Sequence, residues 1–366
     1  MKVVIIGAGN IGLAMASYIA VQKNSSVVLF TEKNFDNLVM NDVEENIRSQ
    51  TTNFYISNKA EVLKDADYIF CTYPAFLRKQ MIEKYSGFIK SGTKLGFVPG
   101  YGGAEFFCEK LIENGVIIFG LQRVPYVARA EGNVANILSK KKNLFVSTIP
   151  LGAADDVVKD IQSLLNIKTV ALKEYLSITL SPSNPLIHVS GLYGAFKKYD
   201  ENVGYDGKVK FYEQWDDETS KLLFAYDNEL QNICRSLFPL DMRDVVPLPI
   251  YYESDTPEKL TKKLKSIESF KVVKVPLIGN KPDLNSRMFI EDYPFGVCVI
   301  KDIAQMVQVN TPVIDMLLEF YAKISGHTYF NKDGSYTDEI CETGVPGIYG
   351  IKTKNQLIEF YHGGKL

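Results

Sequence analysis

Through the first half of the chain, short runs of apolar and β-branched residues alternate with segments whose apolar positions recur every three or four residues. That rhythm predicts βαβ units around a parallel sheet. Strands are expected at Val3–Ile6, Val27–Phe30, Tyr68–Thr72, Lys94–Val98, Val116–Phe119 and Leu144–Thr148, and a helix at Ile11–Val21. Further helices are predicted over Phe76–Phe88, with Leu77, Met81, Ile82 and Tyr85 on its inner face, and over Ala104–Asn114. After about Pro150 the texture changes. Asp155–Leu165 reads as a connecting helix, and beyond Tyr175 the helical spacing takes over. In Thr219–Leu237 the apolar stripe runs through Leu222, Leu223, Tyr226, Leu230, Ile233, Cys234 and Leu237, and Pro312–Ile324 repeats it with Ile314, Leu317, Leu318 and Tyr321. The pattern therefore predicts an α/β domain over residues 1–172 and a mainly α-helical domain over 173–366. Four prolines mark Phe238–Pro257 as a connecting loop, and the stretch from Gly326 onward has no period that assigns it structure.

Composition narrows the class. A chain of 366 residues, 46% hydrophobic and 23% charged, can build two domains with proper cores. Forty-one Lys and Arg against forty-three Asp and Glu give a net charge of −2, without the basic excess of a nucleic-acid binder. The longest apolar runs, such as Val3–Gly9 and Val116–Leu121, fall well short of the ~18 residues that cross a bilayer. No membrane association is expected, and Met1-Lys2 lead into the first strand without room for a secretory leader. Cys71, Cys108, Cys234, Cys298 and Cys341 are odd in number and widely spaced. They suit neither a zinc site nor a disulfide framework and point to a reducing cytoplasm.

Gly7-Ala8-Gly9-Asn10-Ile11-Gly12 follows a predicted strand and opens a predicted helix. In that context Gly7 makes the tight turn, Gly9 lets the backbone approach a pyrophosphate, and Gly12 allows close helix–strand packing. The helix N-terminus, with Asn10 and Ile11 in its first turn, favours the anion. A Rossmann-type domain binding NAD or NADP is the expectation, with a flavin or an unliganded turn as alternatives. After the second strand stand Thr31, Glu32 and Lys33. Thr31 does not repel a 2′-phosphate and Lys33 attracts one, whereas Glu32 suits the ribose hydroxyls, so NADP is slightly favoured over NAD. Two more segments end strands at the ligand-bearing edge of the sheet, Thr72-Tyr73-Pro74 and the glycine-rich Pro99-Gly100-Tyr101-Gly102-Gly103.

Of three histidines, His188 has the most suggestive setting, Ser183-Asn184-Pro185-Leu186-Ile187-His188 at the start of the helical half. Asn184 reads as an N-cap and Pro185 as a first-turn proline. An imidazole there is either a packed helix residue or a group that exchanges a proton near neutral pH. The motif Asn184-Pro185-x-x-His188, followed by Glu291-Asp292-Tyr293-Pro294 and Thr311-Pro312-x-x-Asp315, resembles the octopine/nopaline (opine) dehydrogenases. Tyr73-Pro74-Ala75-Phe76 and Arg123-Val124-Pro125-Tyr126-x-x-Arg129 are similar too, and the resemblance covers residues 1 to about 325.

That resemblance implies reductive condensation of an amino acid with a 2-oxo acid, at the expense of NADH or NADPH, to a secondary amine dicarboxylate. It implies His188 as acid/base with Asp292 as its partner, and Asn184, Arg123, Tyr126 and Arg129 on the substrates, the guanidinium groups meeting carboxylates bidentately. The partners implied are small molecules, and a homodimer is compatible. No metal is called for. A ketopantoate-reductase-like or hydroxyacid dehydrogenase shares the two-domain plan and relies on a lysine, for which Lys173 is the candidate. A nicotinamide-nucleotide-binding sensor without turnover is a third reading, and the presence of both His188 and Asp292 speaks against it.

Overall fold

The computed structural model describes residues 1–23 and 25–362. Two compact units emerge, Met1–Thr179 together with the segment from Glu359 onward, and Leu180–Ile358.

In the first unit the predicted alternation is realised as β1 (Lys2–Ile6), α1 (Asn10–Gln22) and β2 (Ser26–Phe30). Next come β3 (Leu38–Asp42), β4 (Ile47–Thr51), β5 (Tyr55–Ser57), β6 (Tyr68–Cys71), α2 (Ala75–Tyr85) and β7 (Lys94–Phe97). The helix expected over Ala104–Asn114 is only a 3₁₀ turn, Phe106–Cys108, leading into the five-residue α3 (Glu109–Glu113). Strands β8 (Ile117–Leu121), β9 (Tyr126–Glu131), β10 (Val134–Lys140) and β11 (Asn143–Ile149) follow, then α4 (Ala154–Leu165), β12 (Lys168–Ala171) and α5 (Leu176–Leu180).

The main sheet has the order β12-β11-β8-β7-β6-β1-β2-β5. All its pairs are parallel except β8–β11, which runs antiparallel with Val146 opposite Leu121. The exception arises because the chain leaves β8 through strands rather than a crossover helix. Those strands form a second sheet that the hydrophobic pattern did not reveal, β4-β3-β10-β9. Its central pair joins Val39 to Val134 across some ninety residues of sequence.

Helix α1 lies between the sheets, packing on β2 of one and on β3, β9 and β10 of the other. Every residue from Gly12 to Ala20 is buried, as a helix apolar on all sides requires. In α2 the inner face differs from expectation by one position: Leu77 is 37% exposed, whereas Arg78 is 1% exposed. Three backbone carbonyls draw the Arg78 guanidinium inward and turn Leu77 out.

Beneath the main sheet, Glu105 is completely buried. One of its oxygens accepts from the Thr179 hydroxyl and, at 3.0 Å, from the Tyr361 hydroxyl, while Oε2 has no hydrogen-bond partner among the described residues. Burial pushes its carboxyl up to about 7. Close by, His362 meets Glu174 at 3.0 Å.

The second unit is helical, as expected: α6 (Ser183–Phe196), α7 (Asp217–Ser236), α8 (Leu248–Tyr251), α9 (Pro257–Ser266), α10 (Arg287–Ile290), α11 (Cys298–Met306) and α12 (Pro312–Ser325). The proline-rich stretch expected as a loop contains a 3₁₀ turn, Met242–Asp244, and α8. Buried carboxylates from α7 organise it. Asp227 accepts from Leu248 N at 3.2 Å, while Glu229 accepts from Val313 N and Ile314 N at 2.8 and 3.0 Å and so caps α12.

The segment after Gly326, unassigned from sequence, packs on α11 through a buried acid. Asp302 accepts from the Tyr336 hydroxyl and from Gly347 N at 2.9 Å, and burial pushes it up to about 6. The closing helix α13 (Lys354–His362) carries Phe360 and Tyr361, whose rings meet Phe106 within the first unit. Among the described residues, no helix is long and apolar enough to cross a membrane.

Candidate active site

Two constellations carry chemistry, one in each unit. In the first, Gly7 takes φ +102, and a Cβ there would stand 2.8 Å from Thr72 Oγ1 and 3.1 Å from the Tyr73 ring. A Cβ on Gly12 would overlap the Gly7 carbonyl oxygen, whereas one on Gly9 would meet nothing within 4 Å. Gly7 and Gly12 are thus fixed by turn and packing. The bare backbone at Gly9 opens α1, where free N–H groups gather, and this is the surface a pyrophosphate needs. The residues present fit a dinucleotide.

Around this turn, Thr72 donates to Ile6 O at 2.8 Å. The Lys33 ammonium reaches Ala8 O at 3.2 Å, laying that side chain over the turn. Thr31 is half-buried with its hydroxyl accepting from Lys33 N, and Glu32 is exposed. The Asn10 side chain is engaged elsewhere, its carbonyl accepting from Ala130 N at 2.9 Å and tying α1 to the second sheet. That bond uses only the side-chain oxygen, so the Asn10 backbone N–H and its side-chain amide nitrogen remain as donors for an anion. Ile11 is half-buried against the core of this unit.

Tyr126, expected on a substrate, is instead a core residue. It is fully buried, with its ring 5.5 Å from that of Tyr18, because β9 turns this position toward α1. Arg123 is half-buried after β8, and Arg129 stands exposed on β9. Lys173 is exposed before α5.

Arg78, which periodicity placed outside the inner face of α2, is the residue that sequence reasoning missed. Its Nε donates to Tyr73 O at 3.0 Å, and its two terminal nitrogens donate to Pro99 O at 2.8 Å and to Tyr101 O. One side chain thereby links the segments that follow β6 and β7.

In the second unit, Asn184 is not the N-cap. Helix α6 begins at Ser183 after Pro182 with no side-chain cap, which leaves Asn184 exposed in the first turn. Asn184 and His188 are four residues apart and share a helix face. His188 Nδ1 lies 2.7 Å from Asp292 Oδ2, across 104 residues of sequence. The His188 side chain keeps 19% of its surface open and that of Asp292 only 5%. Phe211 packs edge-on to the imidazole, with ring centroids 6.0 Å apart. Burial raises the Asp292 carboxyl, and the charge and hydrogen bond of His188 pull it back.

Asp292 sits where the helical path widens. Residues Tyr293–Val297 form a π-helical turn in which Val297 N reaches back to Asp292 O at 3.0 Å. A Cβ on Gly296 would collide with the Pro185 ring at 2.5 Å, so the missing side chain lets this turn pack directly on α6. Such turns recur at functional sites. An imidazole whose Nδ1–H is held by a buried carboxylate has a fixed tautomer and a stabilised cation, with Nε2 left to exchange a proton.

Residues 171–325 match the family described as NAD/NADP octopine/nopaline dehydrogenase, alpha-helical domain. Residues 3–145 match the family described as ketopantoate reductase PanE/ApbA. The chain is 24% identical to tauropine dehydrogenase of Arabella iricolor over 97% of this chain and 99% of that protein. Among solved structures, octopine dehydrogenase with NADH and L-arginine matches 100% of this chain and 99% of its own, with a TM-score of 0.86 at 22% identity. The same enzyme with NADH and pyruvate gives 0.83 at 20%, covering 98% of each chain. Yersinopine dehydrogenase bound to NADP⁺ has a TM-score of 0.69 at 11% identity, covering 98% of this chain and 99% of that one.

Proposed function

Since the chain belongs to the opine (octopine/nopaline/tauropine) dehydrogenase family, with an ApbA-like NAD(P)-binding first domain, we propose that it reductively condenses an amino acid with a 2-oxo acid. The product is a secondary amine dicarboxylate, and the enzyme acts on a CH–NH bond. The observation that carries this reading is the 2.7 Å contact between His188 Nδ1 and Asp292 Oδ2, a proton-handling pair in the unit that the opine dehydrogenase helical family matches.

The glycine turn Gly7–Gly12 holds the pyrophosphate through the backbone at Gly9, Asn10 and Ile11. Thr31, Glu32 and Lys33 meet the adenosine ribose, and Thr72, Tyr73 and Pro74 border the other nucleotide. Once bound, the reduced nicotinamide supplies a hydride. The neutral amino group of one substrate attacks the oxo carbon of the other, one of its N–H protons passes to the oxo oxygen, and protonated His188 donates a second from Nε2 so that the oxygen leaves as water. The resulting C=N carbon would be the acceptor for that hydride, and the product a secondary amine. Asp292 stabilises the imidazolium that makes this donation and, once the proton has left, keeps the neutral ring with its Nδ1–H on the carboxylate and Nε2 open for the next proton. Arg123 and Arg129 are the carboxylate-binding groups, and Asn184, on the His188 face of α6, orients the amino acid.

Lys33 over the glycine turn supports NADPH, as does the NADP⁺ bound to yersinopine dehydrogenase. The NADH bound to octopine dehydrogenase supports the other choice. The test is oxidation of NADPH and of NADH by the purified protein with pyruvate, with a panel of amino acids, and with both together. Oxidation that requires both substrates, with a secondary amine as product, is expected. Oxidation with the 2-oxo acid alone would replace this reading with a hydroxyacid dehydrogenase. Dinucleotide binding without any turnover would replace it with a sensor.

A further inference from the structure

Arg78 is a buried charge that feels the Glu105 carboxyl electrostatically but, among the described residues, is held by no direct carboxylate contact. Its partners are the carbonyls of Tyr73, Pro99 and Tyr101 and the faces of the Phe97 and Tyr101 rings, 5.6 and 5.9 Å from the guanidinium carbon. Burying a guanidinium is costly unless every donor direction is met, and a rigid fork matched to three carbonyls fixes those carbonyls relative to one another.

The location gives this meaning. Dinucleotides bind across the crevice where strand order reverses, beyond the carboxyl ends of the strands. Here the reversal lies between β1 and β6 in the order β5-β2-β1-β6-β7-β8. The turn after β1 and the Thr31–Lys33 segment after β2 therefore serve the pyrophosphate and the adenosine half. The segments after β6 and β7 border the nicotinamide half, and these are the two that Arg78 joins. The same side chain holds the Tyr73 backbone whose ring lies against Gly7.

Resting on the dinucleotide-binding reading above, we infer that Arg78 is a positioning residue that sets the nicotinamide side of the cofactor crevice by clamping the segments after β6 and β7 from below. It touches neither substrate nor cofactor. A lysine point charge cannot span three carbonyls in two segments, and glutamine has neither the reach nor the charge.

The test compares wild type, Arg78→Lys and Arg78→Gln for their dissociation constants toward NADPH and NADH and toward ADP-ribose and its 2′-phosphate, which lack the nicotinamide. Both variants are expected to lose at least tenfold in affinity for the full dinucleotide while staying within about threefold for the truncated ligand, with Arg78→Lys the milder. Equal loss for both ligands, or no loss for either, overturns the proposal. If Arg78→Gln does not fold, Arg78→Lys alone decides by the same comparison, supported by amide exchange at 98–103, which should accelerate relative to strand β1. Wild-type protein that binds neither ligand would overturn the dinucleotide reading itself, an outcome distinct from an unselective variant.

Discussion

Replacing Glu105 by glutamine should remove a specific pH dependence from the stability of the first unit. The fold holds this carboxyl at about 7 against an ordinary 4.5, burial being the largest cause. The native state therefore keeps a proton that the unfolded chain gives up. Its contribution is complete below pH ~4.5, fades as the pH rises toward 7, and is absent above. The difference between the two values corresponds to about 3 kcal/mol, since Glu105 is fully buried and little screened by solvent. Glutamine has nearly the shape of the protonated acid, and its carbonyl can accept from Thr179 and Tyr361 in place of Oε1. Wild type and Glu105→Gln should then be about equally stable near pH 4.5, with the variant ahead by about 3 kcal/mol at pH 8. Urea titrations followed by circular dichroism at stepped pH supply the free energies, and amide exchange in β6, β7 and β8 ties them to the first unit. Parallel pH profiles for the two proteins would show that Glu105 titrates as an ordinary carboxylate and would refute the reasoning.

Three further outcomes are expected. Gly9→Ala, whose new methyl meets no protein atom, should leave Tm unchanged while weakening NADPH binding, whereas Gly12→Ala should lower stability by about 1–3 kcal/mol through overlap with Gly7; calorimetry and fluorescence titration read the two effects. His188→Ala and Asp292→Asn should each lower kcat by roughly 10²–10⁴-fold with dinucleotide affinity intact, and the double variant should be scarcely worse than His188→Ala, as a steady-state double-mutant cycle will show. Asp302→Ala strands the Tyr336 hydroxyl and the Gly347 N–H and should destabilise the second unit by about 2–4 kcal/mol, read from the emission of the buried Trp215, the chain's single tryptophan.

Local signals carried much of the fold. Six of the eight main-sheet strands and the long helices announce themselves by period, whereas the short edge strands β5 and β12 carry too few residues to show one, and the glycine turn announces itself by its place between β1 and α1. The β4-β3-β10-β9 sheet did not, because its pairing of Val39 with Val134 is non-local and its strands carry polar residues such as Asn41, Arg48 and Asn136. In the site, the motif residues His188 and Asp292 could be named beforehand, but their 2.7 Å contact depends on how α6 packs against the π-helical turn. Tyr126 was misplaced since a tyrosine within a motif reads the same whether its ring faces a ligand or the core. Arg78 left no sequence signal at all: its partners are backbone carbonyls, which have no letter in the sequence.

The widened turn at Tyr293–Val297 also shifts the phase of the helical rod that contains it. Ten residues separate Asp292 from Asp302, and in an uninterrupted α-helix they would point about 80° apart, since each residue advances the rod by about 100°. Absorbing one residue in the π-turn removes one such step and brings the angle to about 180°. Asp292 can thus meet His188 on one side of the rod while Asp302 receives Tyr336 and Gly347 on the other. Deleting one residue from this turn would restore regular α-geometry and leave each acid well bonded along the backbone, yet only one of the two could still face its partners.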